Sequence, residues 1–334
     1  MFKSLTYYII LLIKGFGMGA ANVVPGVSGG TIALITNIYE ELINSLKSFD
    51  LKALKYLVTF RWKRFARHVN LFFIIAVFLG AILSIFSIAR LFEFLLTNEP
   101  IIIWSVFFGL ILASVIFIAK RVEKWQADRM IVLIIGAAVG FGMSFLTHAE
   151  QNESYWYVFI CGMIAMSGMI LPGLSGSFIL MLMGNYVLLM VTSVNSLSTA
   201  ISEVMQGNIA FFASNPEIVN HLELLGIFIL GAIAGVIAFS NVLAWIFKHQ
   251  KDNTLSLLSG FIFGSLAIVW PWKNEIALIK NGTIILDRHG EPVVIGYERY
   301  LPDLSLEVVY AGLWMILGFA IIWLIEKYGE KKKS

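Results

Sequence analysis

The sequence predicts an all-α integral membrane protein built as an inverted repeat. Each half is one Pro-Gly-broken, re-entrant-type hairpin followed by three transmembrane helices. Three observations carry this. Of 334 residues, 59% are hydrophobic and 13% charged, with a mean hydropathy of +0.84. A short signature occurs twice, as Asn22-Val23-Val24-Pro25-Gly26-Val27-Ser28-Gly29-Gly30-Thr31-Ile32 and as Met169-Ile170-Leu171-Pro172-Gly173-Leu174-Ser175-Gly176-Ser177-Phe178-Ile179. Loop charge alternates along the chain in the order this topology requires.

The first repeat, 1–147, opens with a hairpin over 5–46 and continues with spans at 70–88, 101–119 and 130–147. The start, Met1 to Ile13, carries only Lys3 before the apolar run and is expected to be retained. The second repeat, 148–334, has a hairpin over 156–194 and spans at 222–247, 254–270 and 307–325. Crossing about 30 Å of hydrocarbon takes about 20 apolar residues, which sets these lengths. No polar stretch suggests a separate soluble domain, so the repeats form one integrated membrane domain.

Between Asn44 and Val69 lie Lys47, Lys52, Lys55, Arg61, Lys63, Arg64 and Arg67 against Asp50 alone, which marks an inside loop. A hairpin that returns to its own side then puts the N-terminus inside as well. Lys120, Arg121, Lys124 and Arg129 mark the next inside loop, and Glu150 and Glu153 the following outside one. The loop near 195–221 is acidic and outside, Lys248 and Lys251 are inside, 273–305 is outside, and the lysine-rich C-terminus is inside. The basic amphipathic stretch 47–68 suits anionic headgroups. The repeat also extends past the signature: Leu79-Gly80-Ala81-Ile82 recurs as Leu230-Gly231-Ala232-Ile233, and Gly109 matches Gly260 at the same offset. An odd number of crossings per half inverts the second half, as in transporters that bind substrate where two broken helices meet.

Pro25, Gly26, Pro172 and Gly173 are expected to break the hairpins, freeing backbone groups that lipid cannot satisfy. Ser28, Gly29, Gly30 and Thr31, and Ser175, Gly176 and Ser177, would open the return helices. Their N–H groups and hydroxyls suit an anion, above all a phosphate. A purely packing role for the small residues is the competing reading. Asn22 is a cavity-lining candidate whose counterpart is Met169. Arg90, at i−3 from Glu93, either pairs with it or takes a phosphate from outside; its repeat partner is Asn241. Lys14 is expected to reach the cytoplasmic interface. His68, His148, His221, His249 and His289 fall in expected loops. Trp62, Trp104, Trp125, Trp156, Trp270 and Trp272 are expected interfacial anchors.

A single cysteine, Cys161, excludes an intrachain disulfide or a multi-cysteine metal site and reads as a packing residue. No nucleotide-binding loop, zinc-protease helix or nucleophile elbow occurs, and the signature serines have no base at visible spacing. No enzyme activity, metal, cofactor or nucleic-acid partner is expected. The coupling ion (H+ or Na+), the lipid contacts and homo-oligomerisation stay open. Three Gly-x-x-x-Gly pairs, Gly15/Gly19, Gly136/Gly140 and Gly231/Gly235, allow close packing within or between chains.

The run from Gly17 to Thr31 strongly resembles the opening of the bacterial DUF368 family, and Leu171 to Ser177 is similar to that family's second motif. The resemblance covers the whole chain. It implies a polyprenyl-phosphate transporter of the bacterial inner membrane. Such a protein returns undecaprenyl phosphate, the lipid carrier for cell-envelope glycans, from outer to inner leaflet. The phosphate roles given to Ser28–Thr31, Ser175–Ser177 and Arg90 come from the residues, not from the family. A transporter or channel for a small anion, and an intramembrane enzyme on lipid phosphates, are the alternatives.

Overall fold

The computed structural model describes residues 4–23, 28–146, 149–208, 210–277, 279–280, 283–286, 292 and 294–330, some of them, Arg90 and Glu93 included, by backbone alone. The first half contains α1 (Leu5–Val23), α2 (Gly29–Ile35), α3 (Tyr39–Lys47), α4 (Leu51–Val58), α5 (Trp62–His68), α6 (Leu71–Asn98), α7 (Pro100–Ala119) and α8 (Ala127–Met143). The second half contains α9 (Tyr155–Ile170), α10 (Gly176–Leu182), a π-helical turn (Val187–Thr192) running into α11 (Ser193–Met205), α12 (Phe211–Ser214), α13 (Pro216–His249), α14 (Lys251–Ser265) and α15 (Leu306–Glu330).

Pro100 and Pro216 each stand in a first helical turn, where the missing N–H costs nothing. Asp50 caps α4 by accepting from the N–H groups of Lys52 and Ala53, both at 2.9 Å. Among the described residues, four helical stretches are long and apolar enough to cross a membrane: Pro100–Ala119, Val187–Met205, Pro216–His249 and Leu306–Leu324. A fifth arises if α5 and the first half of α6, bent by 67°, count as one span. The chain is thus a mainly helical, multi-pass membrane protein.

Helix pairing follows one scheme in both halves. α1 packs along α6 and α9 along α13, while α7 packs along α15 and α8 along α14. Glycines set these contacts. A methyl group on Gly80 would overlap the Leu12 carbonyl, and one on Gly231 would overlap that of Phe159. Gly15 and Gly19 face Val77 and Ala81 of α6, Gly136 and Gly140 face α14, and Gly231 and Gly235 face α9. All three Gly-x-x-x-Gly pairs therefore serve packing within the chain.

Several elements differ from the sequence reading. α6 runs ten residues past the expected end at 88, so Arg90 and Glu93 belong to one continuous helix. α14 stops at Ser265, short of 270. The sequence assigns no structure to 273–305. The fold places there β1 (Lys273–Ala277), β2 (Ile279–Lys280), β3 (Thr283–Ile284) and β4 (Val294–Arg299). β1 pairs antiparallel with β4, Lys273 opposite Arg299, and β2 pairs antiparallel with β3. This ribbon sits over α7: the Lys273 ammonium lies 3.2 Å from the Trp104 ring centre and 4.1 Å from that of Tyr297. Trp104 and Trp272 are consequently buried rather than interfacial, whereas Trp62 and Trp156 are exposed. His221 and His249 lie on α13 and His68 ends α5, not in loops; His148 and His289 are outside the described residues. Cys161 is fully buried in the apolar cluster around the second hairpin.

Candidate functional site

The two signatures meet. α1 stops at Val23 and α2 starts at Gly29, while α9 stops at Ile170 and α10 starts at Gly176. Pro25 and Gly26 lie outside the described residues. Pro172 and Gly173 are buried between α9 and α10, and Gly173 takes φ +89°, a conformation that strains any residue with a Cβ.

Each return arm breaks a second time, at a turn the sequence reading did not anticipate. Asn37 has φ +60° and Gly184, 147 residues later, φ +71°. In the first copy Ile38 N–H donates to Ala33 O, and in the second Asn185 N–H donates to Leu180 O, at 3.0 and 3.1 Å. The same offset relates Tyr39 to Tyr186. The signal lay in the residue types: Asn and Gly are the residues that most readily adopt positive φ.

Among the described residues four hydrogen bonds join the hairpins, the longest from the Ser28 hydroxyl to Met169 O at 3.4 Å. The Ser28 hydroxyl donates to Leu171 O at 3.0 Å. The Gly173 N–H donates to Thr31 Oγ1 at 2.9 Å, and the Tyr39 hydroxyl donates to Ile170 O at 3.1 Å. These pair the backbone groups freed by the second break, as burial demands. Ser28, Thr31 and Tyr39 are each no more than 3% exposed. A methyl group on Gly30 would stand 2.5 Å from Ile170 O, so this contact leaves no space for a ligand as it stands.

The two helix starts are not equivalent. Around α2, Gly29 N–H donates to Asn22 Oδ1 at 2.7 Å and Gly30 N–H to Ser28 Oγ at 3.1 Å. Asn22 is thus a capping side chain reaching back from α1. At α10 its place is taken by Met169, which cannot accept a hydrogen bond of that kind. Ser175 makes no capping bond; its hydroxyl is 2.6 Å from that of Ser177. Among the described residues, the N–H groups of Gly176 and Ser177 have no partner. Ser177 and Gly176 are half-buried, Ser175 buried. Arg90 is described by backbone only, so its expected role lies outside what the described side chains address.

At the far end of α2 the carbonyls of the last turn meet two cations, a contact the sequence reading did not foresee. Arg121 donates to Leu34 O at 2.7 Å and to Ile35 O at 2.9 Å, and Lys14 Nζ donates to Thr36 O at 2.7 Å. Lys14 therefore closes this helix end, beside Arg121 of the following basic loop. Arg121 also contacts Glu326 of α15 at 3.2 Å. Cations at the negative end of a helix are favourable, and here they fix the axis of α2 so that its start points at the second break. A basic residue near a span end gives no spacing signal for such a contact.

A multi-pass helical protein in which Ser28, Thr31 and Tyr39 of the first hairpin bind the second break belongs to the class of membrane proteins organised around discontinuous helices. A family model described as undecaprenyl phosphate translocase-like matches residues 18–285, and the chain belongs to that family. It is 36% identical to the polyprenyl-phosphate transporter of Vibrio cholerae serotype O1 over 331 residues, covering 97% of this chain and 98% of the relative. It is 31% identical to the polyprenyl-phosphate transporter of Staphylococcus aureus over 274 residues, covering 78% and 86%. No solved structure matches it.

Proposed function

We propose that this protein is a polyprenyl-phosphate transporter that returns undecaprenyl phosphate from the outer to the inner leaflet of the bacterial inner membrane. The recycled carrier then serves cell-envelope glycan synthesis, and both termini lie in the cytoplasm. The observation that carries the reading is the direct hydrogen bonding of the two signatures, in a chain related along nearly its whole length to transporters of that name.

The halves are inverted repeats, and each hairpin returns to the face it left. α2 is only ~10 Å long at 1.5 Å per residue, about a third of the hydrocarbon thickness, so its start lies inside the bilayer. The interlocked hairpins are a closed state. Neutral hydrogen bonds from Ser28, Thr31 and Tyr39, each worth roughly 0.5–1.5 kcal/mol net, hold it, so opening is within the few kcal/mol that separate interconverting conformations. A phosphate offers charge-assisted bonds about twice as strong to the same donors. It is received first by the open N–H groups of Gly176 and Ser177 with the hydroxyls of Ser175 and Ser177. It then takes over the hydroxyls of Ser28 and Thr31 and the N–H groups of Gly29 and Gly30 as the interlock releases. Arg90 collects phosphate from the outer side, and the polyprenyl chain stays in lipid. The protein moves its substrate and forms no covalent bond with it.

The test is outer-leaflet exposure of undecaprenyl phosphate, read with an impermeant phosphate-binding probe in cells depleted of this protein and of functionally overlapping transporters. Exposure is expected to rise and to fall again on re-expression. Unchanged exposure overturns the lipid assignment and favours a small free anion as the substrate.

A further inference from the structure

A groove of about 360 Å³ lies between α3 and the C-terminal end of α13, on the face that loop charge puts in the cytoplasm. Its floor is apolar: Ile43, Ala244 and Phe247 are all buried. Its rim carries Lys47, Lys248 and Lys251, with His249 beside them and Glu40 as the one acid among the described lining residues. Glu40 stands 3.8 Å from Lys251, both well exposed, so it offsets part of one charge. Lys47 and Lys248 have no carboxylate partner among the described residues. His249 Nδ1 lies 2.8 Å from Trp245 O, which holds the ring against its own helix.

Two features say what such a groove accepts. First, a lipid phosphomonoester carries close to two negative charges near neutral pH, which matches two unpaired ammonium groups and part of a third. Second, an apolar stripe leaves the groove along α13. Ala238, Val242 and Trp245 are exposed at i, i+4 and i+7, on the helix face that ends at His249, with Asn241 the one polar member of that face and its amide turned to Ile237 O. A free anion has no use for that stripe, whereas a hydrocarbon chain does. The groove also touches the hairpin contact: the Phe247 ring of its floor lies 5.6 Å from that of Tyr39, whose hydroxyl donates to Ile170 O at the second break.

We infer that this groove is the cytoplasmic docking station for the phosphate of the transported lipid, a polyprenyl monophosphate. The lysines hold the head group where it leaves the hairpins, and the chain lies along the α13 stripe. The inference rests on the transporter reading, and the experiment separates the two.

The full-length protein is placed in phosphatidylcholine nanodiscs containing a polyprenyl monophosphate, and lipid retention is measured by native mass spectrometry. The Lys47→Gln, Lys248→Gln, Lys251→Gln triple variant is expected to bind on the order of 100-fold more weakly, from about 1 kcal/mol per lysine near the surface. The matching triple arginine variant keeps binding, which excludes misfolding of the groove as the cause. Wild-type-like binding by the glutamine variant overturns the docking station and leaves the transporter reading intact. No binding by the wild type overturns both. Equal, lysine-dependent binding of phosphatidylglycerol or inorganic phosphate overturns the assignment to a lipid monophosphate.

Discussion

Asn22 and Met169 occupy the same place in the two signatures, and that difference, together with the capping bond that Ser28 makes and Ser175 does not, makes one helix start closed and the other open. Asn22 Oδ1 takes the Gly29 N–H, while Gly176 N–H is left without a partner among the described residues. If the open donors at α10 receive phosphate, Met169→Asn supplies an internal acceptor and competes with substrate. Transport in proteoliposomes should drop several-fold with the melting temperature unchanged or raised. Unaltered transport would remove Gly176 from the cradle. The converse change, Asn22→Leu, leaves Gly29 uncapped and should lower stability by about 1 kcal/mol, the usual cost of a lost cap. At Asp50 the bond from the Ala53 N–H, followed by the contact with His68 at 2.9 Å, holds the carboxyl below its ordinary value of 3.8. Its folded pKa is depressed, so the stabilisation is complete above 3.8 and disappears as pH falls through the folded value. Trp62 fluorescence, reporting on α4 and α5, should change below that pH, and in Asp50→Ala this transition should be absent.

The helix pairs depend on backbone contact at glycine, and the matched positions Gly80 and Gly231 make it testable. In each, the neighbouring helix presents a carbonyl oxygen where a side chain would have to go. Gly80→Val and Gly231→Val should each cost roughly 1–3 kcal/mol through overpacking and separate α1 from α6 or α9 from α13. Gly226 and Gly312 have open space where a Cβ would stand, so valine there is the neutral control. Equal melting temperatures for all four variants would show that these pairs are not held by close approach. The elements differ in how readable they were. Long apolar runs announced α7 and α13, because a helix that packs on protein with one side and meets lipid with the other is apolar all round and leaves a continuous signal. α6 ran past its expected end because Arg90 and Glu93 sit at helical spacing and do not interrupt the ladder. The β1–β4 ribbon was hidden because a short, polar, mixed-charge loop has too few alternating residues to show a period of two. The turn at Asn37 and Gly184 rests on one residue per copy, which only the repeat brings out.

The whole molecule turns on the relation between its halves. The contact of the two signatures follows from their repetition, since matching breaks at matching depth invite mutual satisfaction of freed backbone groups. What repetition could not reveal is that Ser28 and Thr31 spend their polar atoms on the partner hairpin, because only proximity shows Leu171 O and Gly173 N–H beside them. The pairing of helices is exchanged between halves: α7 of the first packs on α15 of the second, and α14 of the second packs on α8 of the first. The inversion proposed above accounts for that exchange, and it also requires equivalent segments to face opposite sides. Arg64 lies in the basic stretch between the first hairpin and α6, and Ser202 in the matching segment between the second hairpin and α13. Both are exposed, whereas Cys161 is fully buried and gives little background to a thiol reagent. Arg64→Cys and Ser202→Cys can therefore be labelled one at a time with an impermeant maleimide. Ser202→Cys should react in intact spheroplasts, and Arg64→Cys only after the membrane is opened. Labelling of both from the same side would rule out the inversion and, with it, alternate exposure of one shared phosphate site by two mirrored hairpins.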